Sequence, residues 1–176
     1  GLQGTDFRGI SLSTTGGVVG YYLFTGTSNA VDAYKLRGFA VNSDASIVDV
    51  PVLGCPIDAP VPSACNTKAN GISNLGDIVG ETWTAESSAP LAFLRYNGTT
   101  QVLLPGLNAS TAHAINDDGF IVGTFQPPAN SGRAYVHHVD HVGNTAALLD
   151  LGAIGGTSND LSSRANAINS QNNIVG

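Results

Sequence analysis

Short runs of apolar residues recur along the chain in one fixed setting of small and turn-forming residues. Residues 9–20, 69–80, 112–123 and 165–176 align without gaps on the pattern small–x–small–apolar–Ser/Asn–x–x–Gly/Asn–x–Ile/Val–Val–Gly. Leu12, Ile72, Ile115 and Ile168 mark the apolar position, at spacings of 60, 43 and 53 residues. A pattern repeated at such intervals is the signature of a repeat architecture. Within each copy the period is close to two, the period of a strand. No segment carries a capped helical period over ten residues.

The repeat is predicted to be a β-hairpin. Ser13, Ser73, Asn116 and Asn169 open the turn by hydrogen-bonding the backbone ahead of them. Gly16, Gly76, Gly119 and Asn172 stand where a hairpin loop with a bulge needs positive φ, and Asn is the best substitute for Gly there. The Ile/Val pair and the closing Gly form the returning strand. The small residues Gly9, Ala69, Ala112 and Ala165 lie two positions before Ser11, Gly71, Ala114 and Ala167. On a regular strand each such pair shares one face, which is expected to meet another backbone closely.

A second hairpin lies between the copies. Gly38-Phe39, Ala92-Phe93 and Ala134-Tyr135 each begin a strand, leading to Leu53-Gly54, Leu104-Pro105-Gly106 and Leu151-Gly152. In the middle case the turn is Asn97-Gly98, the favoured two-residue hairpin dipeptide. The fold class is therefore all-β, with tandem repeats of about four short antiparallel strands. The units are about 1–54, 69–106 and 112–152, with a partial unit at 165–176. Residues 54–68 form a loop insert carrying the cysteines, and a second longer loop spans 153–164. The whole chain of 176 residues reads as one repeat domain.

Composition narrows the partners. Charged residues are 11% of the chain and the net charge is −6. Nucleic acid and anionic membrane both need a concentrated basic surface, so neither is expected as a partner. The longest apolar run, Val18 to Phe24, is broken by Gly20 and is far short of the ~20 residues of a helical span. Membrane insertion is not expected.

Three stretches together resemble the extracellular HAF repeat of bacterial proteins. They are Ala114-Ile-Asn-Asp-Asp-Gly-Phe-Ile-Val-Gly123, the strand at Ala92-Phe93, and Asp150-Leu-Gly-Ala-Ile-Gly-Gly156. The resemblance covers nearly the whole chain. It departs where the motif carries a histidine before the small–aromatic pair; Arg37, Leu91 and Arg133 stand there. It implies secretion and a β-propeller-like architecture, and no particular activity. Three and a half units are too few to close a propeller of four to eight blades.

Candidate chemistry is sparse. His137, His138 and His141, with Asp140, are the one local cluster of metal-type ligands, but on a strand His137 and His138 face opposite ways. Asn116-Asp117-Asp118-Gly119 looks calcium-like, yet it lacks the spaced oxygens and distal Glu of a binding loop. No metal or other cofactor is expected. No serine sits in a Gly-x-Ser-x-Gly elbow, and Glu81 and Glu86 share one loop, so no catalytic residues are assigned. Glycine-rich Gly152 to Gly156 is not followed by the Lys of a phosphate loop. Tyr34, Trp83 and Tyr96 would suit sugar stacking if they were exposed on one face; otherwise they cap the β core. Asn97 and Asn108 fit the glycosylation pattern but serve equally as turn residues.

Cys55 and Cys65 flank three prolines and are expected to form a disulfide. It closes a loop of about eleven residues, worth roughly 2–3 kcal/mol in the chain-entropy account. Neither a signal peptide nor an initiator Met is present, as in a mature secreted chain or an internal stretch of a longer one. Low charge, β repeats and a disulfide point to a non-enzymatic extracellular or cell-surface structural protein. It is expected to assemble with itself into a fibre through the partial unit, with Ile168, Ile174, Val175 and Gly176 at the joint. The alternatives are a secreted ligand- or carbohydrate-binding module, with surface polysaccharide as a partner, and a secreted hydrolase. The hydrolase would require acids and a histidine from different units to meet in one cleft.

Overall fold

Each unit folds as an antiparallel meander in which chain order and spatial order coincide. The computed structural model describes residues 4–24, 35–54, 65–84, 87–128, 131–140, 145–153 and 162–176. The first sheet contains β1 (Gly4–Leu12), β2 (Val18–Phe24), β3 (Lys35–Val41) and β4 (Ile47–Val50). The second contains β5 (Asn66–Ile72), β6 (Ile78–Trp83), β7 (Leu91–Tyr96) and β8 (Thr99–Val102). The third contains β9 (Ser110–Ile115), β10 (Phe120–Phe125), β11 (Arg133–His138) and β12 (Leu149–Gly152). The fourth is the two-stranded pair β13 (Ala167–Ile168) and β14 (Ile174–Val175). There is no helix among the described residues. The fold is all-β and repeated, as the hydrophobic pattern predicts. Its first strands β1, β5, β9 and β13 contact one another in succession, in a propeller-like, unclosed arrangement.

The turns form as expected, four times over. Ser13 Oγ accepts the Gly17 N–H at 2.9 Å and Ser73 Oγ accepts the Asp77 N–H at 3.1 Å. Asn116 Oδ1 accepts the Phe120 N–H at 3.0 Å and Asn169 Oδ1 the Asn173 N–H at 2.9 Å. Gly16, Gly76, Gly119 and Asn172 have φ of 89°, 88°, 81° and 63°. Asn97 and Gly98 both take positive φ, 48° and 78°, as a tight hairpin between β7 and β8 requires.

The small-residue pairs behave differently from expectation. Gly9 pairs with Gly20 and Ser11 with Val19; Ala69 pairs with Gly80 and Gly71 with Val79; Ala112 pairs with Gly123 and Ala114 with Val122. Residues two apart on the inner strand thus oppose consecutive residues on its partner. A one-residue bulge at Ile10, Asn70 and His113 restarts the alternation, so the two small residues face opposite ways. Ala69 packs with Val19, Ala40 and Val50 of the first sheet, whereas a Cβ on Gly71 would lie 3.0 Å from Ala114 Cα of the third.

The Ile/Val pair before the closing Gly joins each sheet to two neighbours. Ile78 packs back on the first sheet and Val79 forward on the third; Ile121 packs back on the second sheet and Val122 forward on the fourth. The aromatics Phe93 and Tyr135 also face the preceding sheet. Among the described residues, three apolar layers lie between successive sheets.

The closing glycine has a steric origin of its own. A Cβ on Gly20, Gly80, Gly123 or Gly176 would overlap the carbonyl of Arg8, Lys68, Thr111 or Arg164 respectively. At Gly80 and Gly123 it would also strike the ring of Phe93 or Tyr135, at 2.8 and 2.9 Å. Gly80→Ala is therefore expected to destabilise the protein by about 2 kcal/mol or more in urea unfolding. Leu75→Ala in the exposed turn of the same unit should change it by less than about 0.5 kcal/mol.

Candidate functional sites

The bulges re-aim one side chain per unit. Ile10, Asn70 and His113, with Asn166 at the equivalent position of the fourth unit, line one cleft of about 830 Å³ among the first strands of all four sheets. Glu81, Thr111 and Arg164 also reach it, over a floor that includes Ile72 and Ile115.

Most of the cleft's charge is internally satisfied. Glu81 accepts the Thr111 hydroxyl at 3.0 Å and lies 3.3 Å from the Lys68 ammonium. Asn70 donates from Nδ2 to the Ala112 carbonyl at 3.0 Å. His113 Nδ1 lies 2.7 Å from the Ala165 carbonyl, so it carries the proton and donates. Burial lowers the His113 pKa and the Arg164 charge lowers it further, against the opposing effects of that hydrogen bond and of Glu81. The neutral ring leaves Nε2 as an acceptor.

At one rim, hydrogen bonds run from turn to turn. Thr14 donates from its N–H and its hydroxyl to Asn74 Oδ1, both at 2.7 Å. Asn74 donates from its N–H and Nδ2 to the Asp117 carboxylate at 2.6 and 2.7 Å. Asn116 Nδ2 continues to Asn172 Oδ1 at 2.6 Å and the Asn169 carbonyl at 3.0 Å. The calcium-like look of Asn116 to Gly119 therefore has a structural explanation: Asp117 ties the third unit to the second.

The histidine cluster divides as the strand period predicts. His138 lies against Phe120 with ring centroids 4.5 Å apart, and His138 Nε2 is 3.0 Å from the Asp118 carbonyl. His137 is buried, with neither ring nitrogen hydrogen-bonded among the described residues. His141 lies outside those residues. No group of three metal-type ligands occurs among the described residues.

Neither Trp83 nor Tyr96 lines the cleft. Tyr34 lies outside the described residues. Tyr96 packs against the core between the second and third sheets. The Trp83 ring is covered by the Lys68 ammonium at 5.2 Å, which also stands 5.6 Å from the Tyr21 ring. Cys65 is buried immediately before β5, while Cys55 and Glu86 lie outside the described residues.

The ends of the stack carry the second candidate site. Val19, Val79 and Val122 are each 0% exposed beneath the following sheet, whereas the equivalent Val175 is 63% exposed. Ile72 and Ile115 are each 8% exposed against the preceding sheet, whereas the equivalent Leu12 is 69% exposed. Beside Leu12's sheet face, exposed Phe7 stacks on Tyr22 at 4.9 Å and meets Phe39 edge-on at 5.8 Å. Of the other residues assigned to a joint, Ile168 and Ile174 pack back on the third sheet, and Gly176 follows Val175 at the exposed edge. Among the described residues β14 pairs with β13 alone.

Sequence reasoning passed over Asn70, His113, Asn166 and Arg164. The first three share the variable position between the two small residues, and their convergence needs the bulge, which the hydrophobic pattern does not show. No family model matches this chain, and no match is found among curated proteins or solved structures. The HAF-repeat resemblance accordingly rests on its motif residues.

His137 yields a pH prediction. Burial lowers its pKa, and neighbouring His138 lowers it further. The unfolded chain takes up this proton near pH 6.5 and the folded chain only at lower pH. Stability is thus expected to fall as pH drops below about 6.5, until the folded state protonates as well. His137→Leu should reduce the slope of that part of the profile in denaturant unfolding measured from pH 8 to pH 5, the remainder coming from His113, whose pKa burial also lowers.

Proposed function

We propose that this protein is a non-enzymatic structural module of the extracellular space or cell surface that assembles head to tail with copies of itself. One observation carries the reading: Val175 is exposed where its three equivalents are fully buried. The opposite end of the stack offers the complementary apolar surface, exposed Leu12 and exposed Phe7, whose ring lies over the buried rings of Tyr22 and Phe39. Inside the chain, Val19 and Val79 each pack against an aliphatic residue and an aromatic ring of the following sheet, Ile72 with Phe93 and Ile115 with Tyr135. Copies joined this way use two different surfaces, so the contact is heterologous and propagates as a fibre unless it closes into a ring.

The test uses two exposed substitutions, chosen so that folding is spared. Wild-type protein should form concentration-dependent oligomers in sedimentation velocity. Val175→Asp and Leu12→Asp should each be monomeric alone. Mixed together they should form a dimer and stop, because each retains the surface that the other has lost. A wild-type protein that stays monomeric at all concentrations overturns the proposal, as do single variants that still polymerise.

An extracellular address goes with this reading and with a Cys55–Cys65 disulfide. Mass spectrometry of a non-reduced digest should recover the two cysteines in one cross-linked peptide pair. Two alkylatable thiols in the native protein would remove that support. A ligand-binding role is the second reading, favoured by the polar cleft into which all four units converge.

A further inference from the structure

The cleft's chemistry narrows what would occupy it. Three cations stand at one position of the repeat, four residues before the marker apolar residue: Arg8, Lys68 and Arg164. Arg8 is paired with Asp6 at 3.0 Å and Lys68 with Glu81 at 3.3 Å. Arg164 is exposed, reaches the cleft, and has no ion pair among the described residues. The acids beside it are already engaged, Glu81 by Lys68 and Thr111 and Asp117 by Asn74. The cleft therefore presents a guanidinium whose natural complement is a carboxylate, bound through two parallel hydrogen bonds.

Around it stand neutral groups with unused capacity. Asn70 spends Nδ2 on the Ala112 carbonyl and keeps Oδ1; His113 spends Nδ1 on the Ala165 carbonyl and keeps Nε2. Asn166 is exposed on the fourth side. Amide oxygens and a neutral imidazole nitrogen accept hydrogen bonds from hydroxyls without charge neutralisation. Among the described residues no Phe, Tyr or Trp ring lines the cleft. An unpaired cation, hydroxyl acceptors and a partly aliphatic floor describe one class of ligand.

We infer that the cleft binds a small hydroxylated carboxylate, of the sugar-acid type, with Arg164 holding the carboxylate and Asn70, His113 and Asn166 holding hydroxyls. The inference rests on the ligand-binding reading of the cleft and is independent of self-assembly. Bound ligand would touch the first strands of separate units, bridging them across the opening.

The experiment compares three probes on the Val175→Asp protein by amide-resolved NMR titration. D-glucuronate carries both features, D-glucose lacks the carboxylate, and acetate lacks the hydroxyls. Glucuronate should bind saturably, with shifts confined to the bulge residues and Arg164. Glucose and acetate should each bind at least about tenfold more weakly, and Arg164→Gln should weaken glucuronate by about tenfold or more, as loss of a charge-assisted pair implies. Arg164→Lys should recover part of that loss, since it keeps the charge and loses the fork. Equal binding of glucose and glucuronate at these residues overturns the ligand class while leaving the cleft a binding site. No saturable shift with any probe overturns both.

Discussion

A one-residue bulge in the first strand of each four-stranded sheet sets most of what surrounds it. By restarting the alternation of side chains, it turns Ala69 and Ala112 toward the preceding sheet and Gly71 toward the backbone that follows. It presses the carbonyls of Arg8, Lys68 and Thr111 against the returning strand, where only glycine leaves room. It also releases Ile10, Asn70 and His113 from the ladder and aims them into the shared cleft. Closing glycine, small residues and cleft are thus three results of one local distortion.

The packing between sheets follows a simpler rule. On a flat strand consecutive residues face opposite sides, so a single Ile–Val pair suffices to hold two neighbours. Each junction combines a forward valine with a backward aliphatic, alanine and, where a full sheet follows, an aromatic ring. Val79, fully buried, gains roughly 1.5–3 kcal/mol by this burial, and the same position gains little where Val175 meets solvent. The internal junctions are consequently the strong contacts of the stack, while Leu12 and Val175 keep their apolar side chains exposed.

Much of this was legible in the residues, for identifiable reasons. Ser13, Gly16 and their equivalents could be read because turn chemistry is local: a short side chain and a positive φ depend on neighbours in sequence. Asn172 in place of glycine strengthened the reading, and it has positive φ. The bulge escaped because its mark, small–x–small, is also the mark of a regular strand; only the partner strand reveals that Gly9 and Ser11 oppose consecutive residues. Leu12 and Ile72 are alike in sequence, yet one is exposed and the other buried, since exposure depends on whether another sheet lies alongside. His113 and Arg164 were invisible as a pair because they meet only when the third and fourth units are adjacent. Trp83, by contrast, drew notice as a sugar platform, but its ring is engaged by a lysine that nothing in the local sequence joins to it.

The hydrogen bonds at the rim have a direction. Thr14 gives to Asn74, Asn74 gives to Asp117, and Asn116 gives to Asn169 and Asn172, always from an earlier unit to a later one. Asn74 manages this because an amide both accepts and donates, while the carboxylate of Asp117 only accepts. The units are therefore not interchangeable beads, despite sharing a hairpin. Exchanging the second and third would leave the carboxylate of Asp117, which only accepts, where the two-way amide of Asn74 is needed. Succession along the stack is encoded in which turns give protons and which receive them.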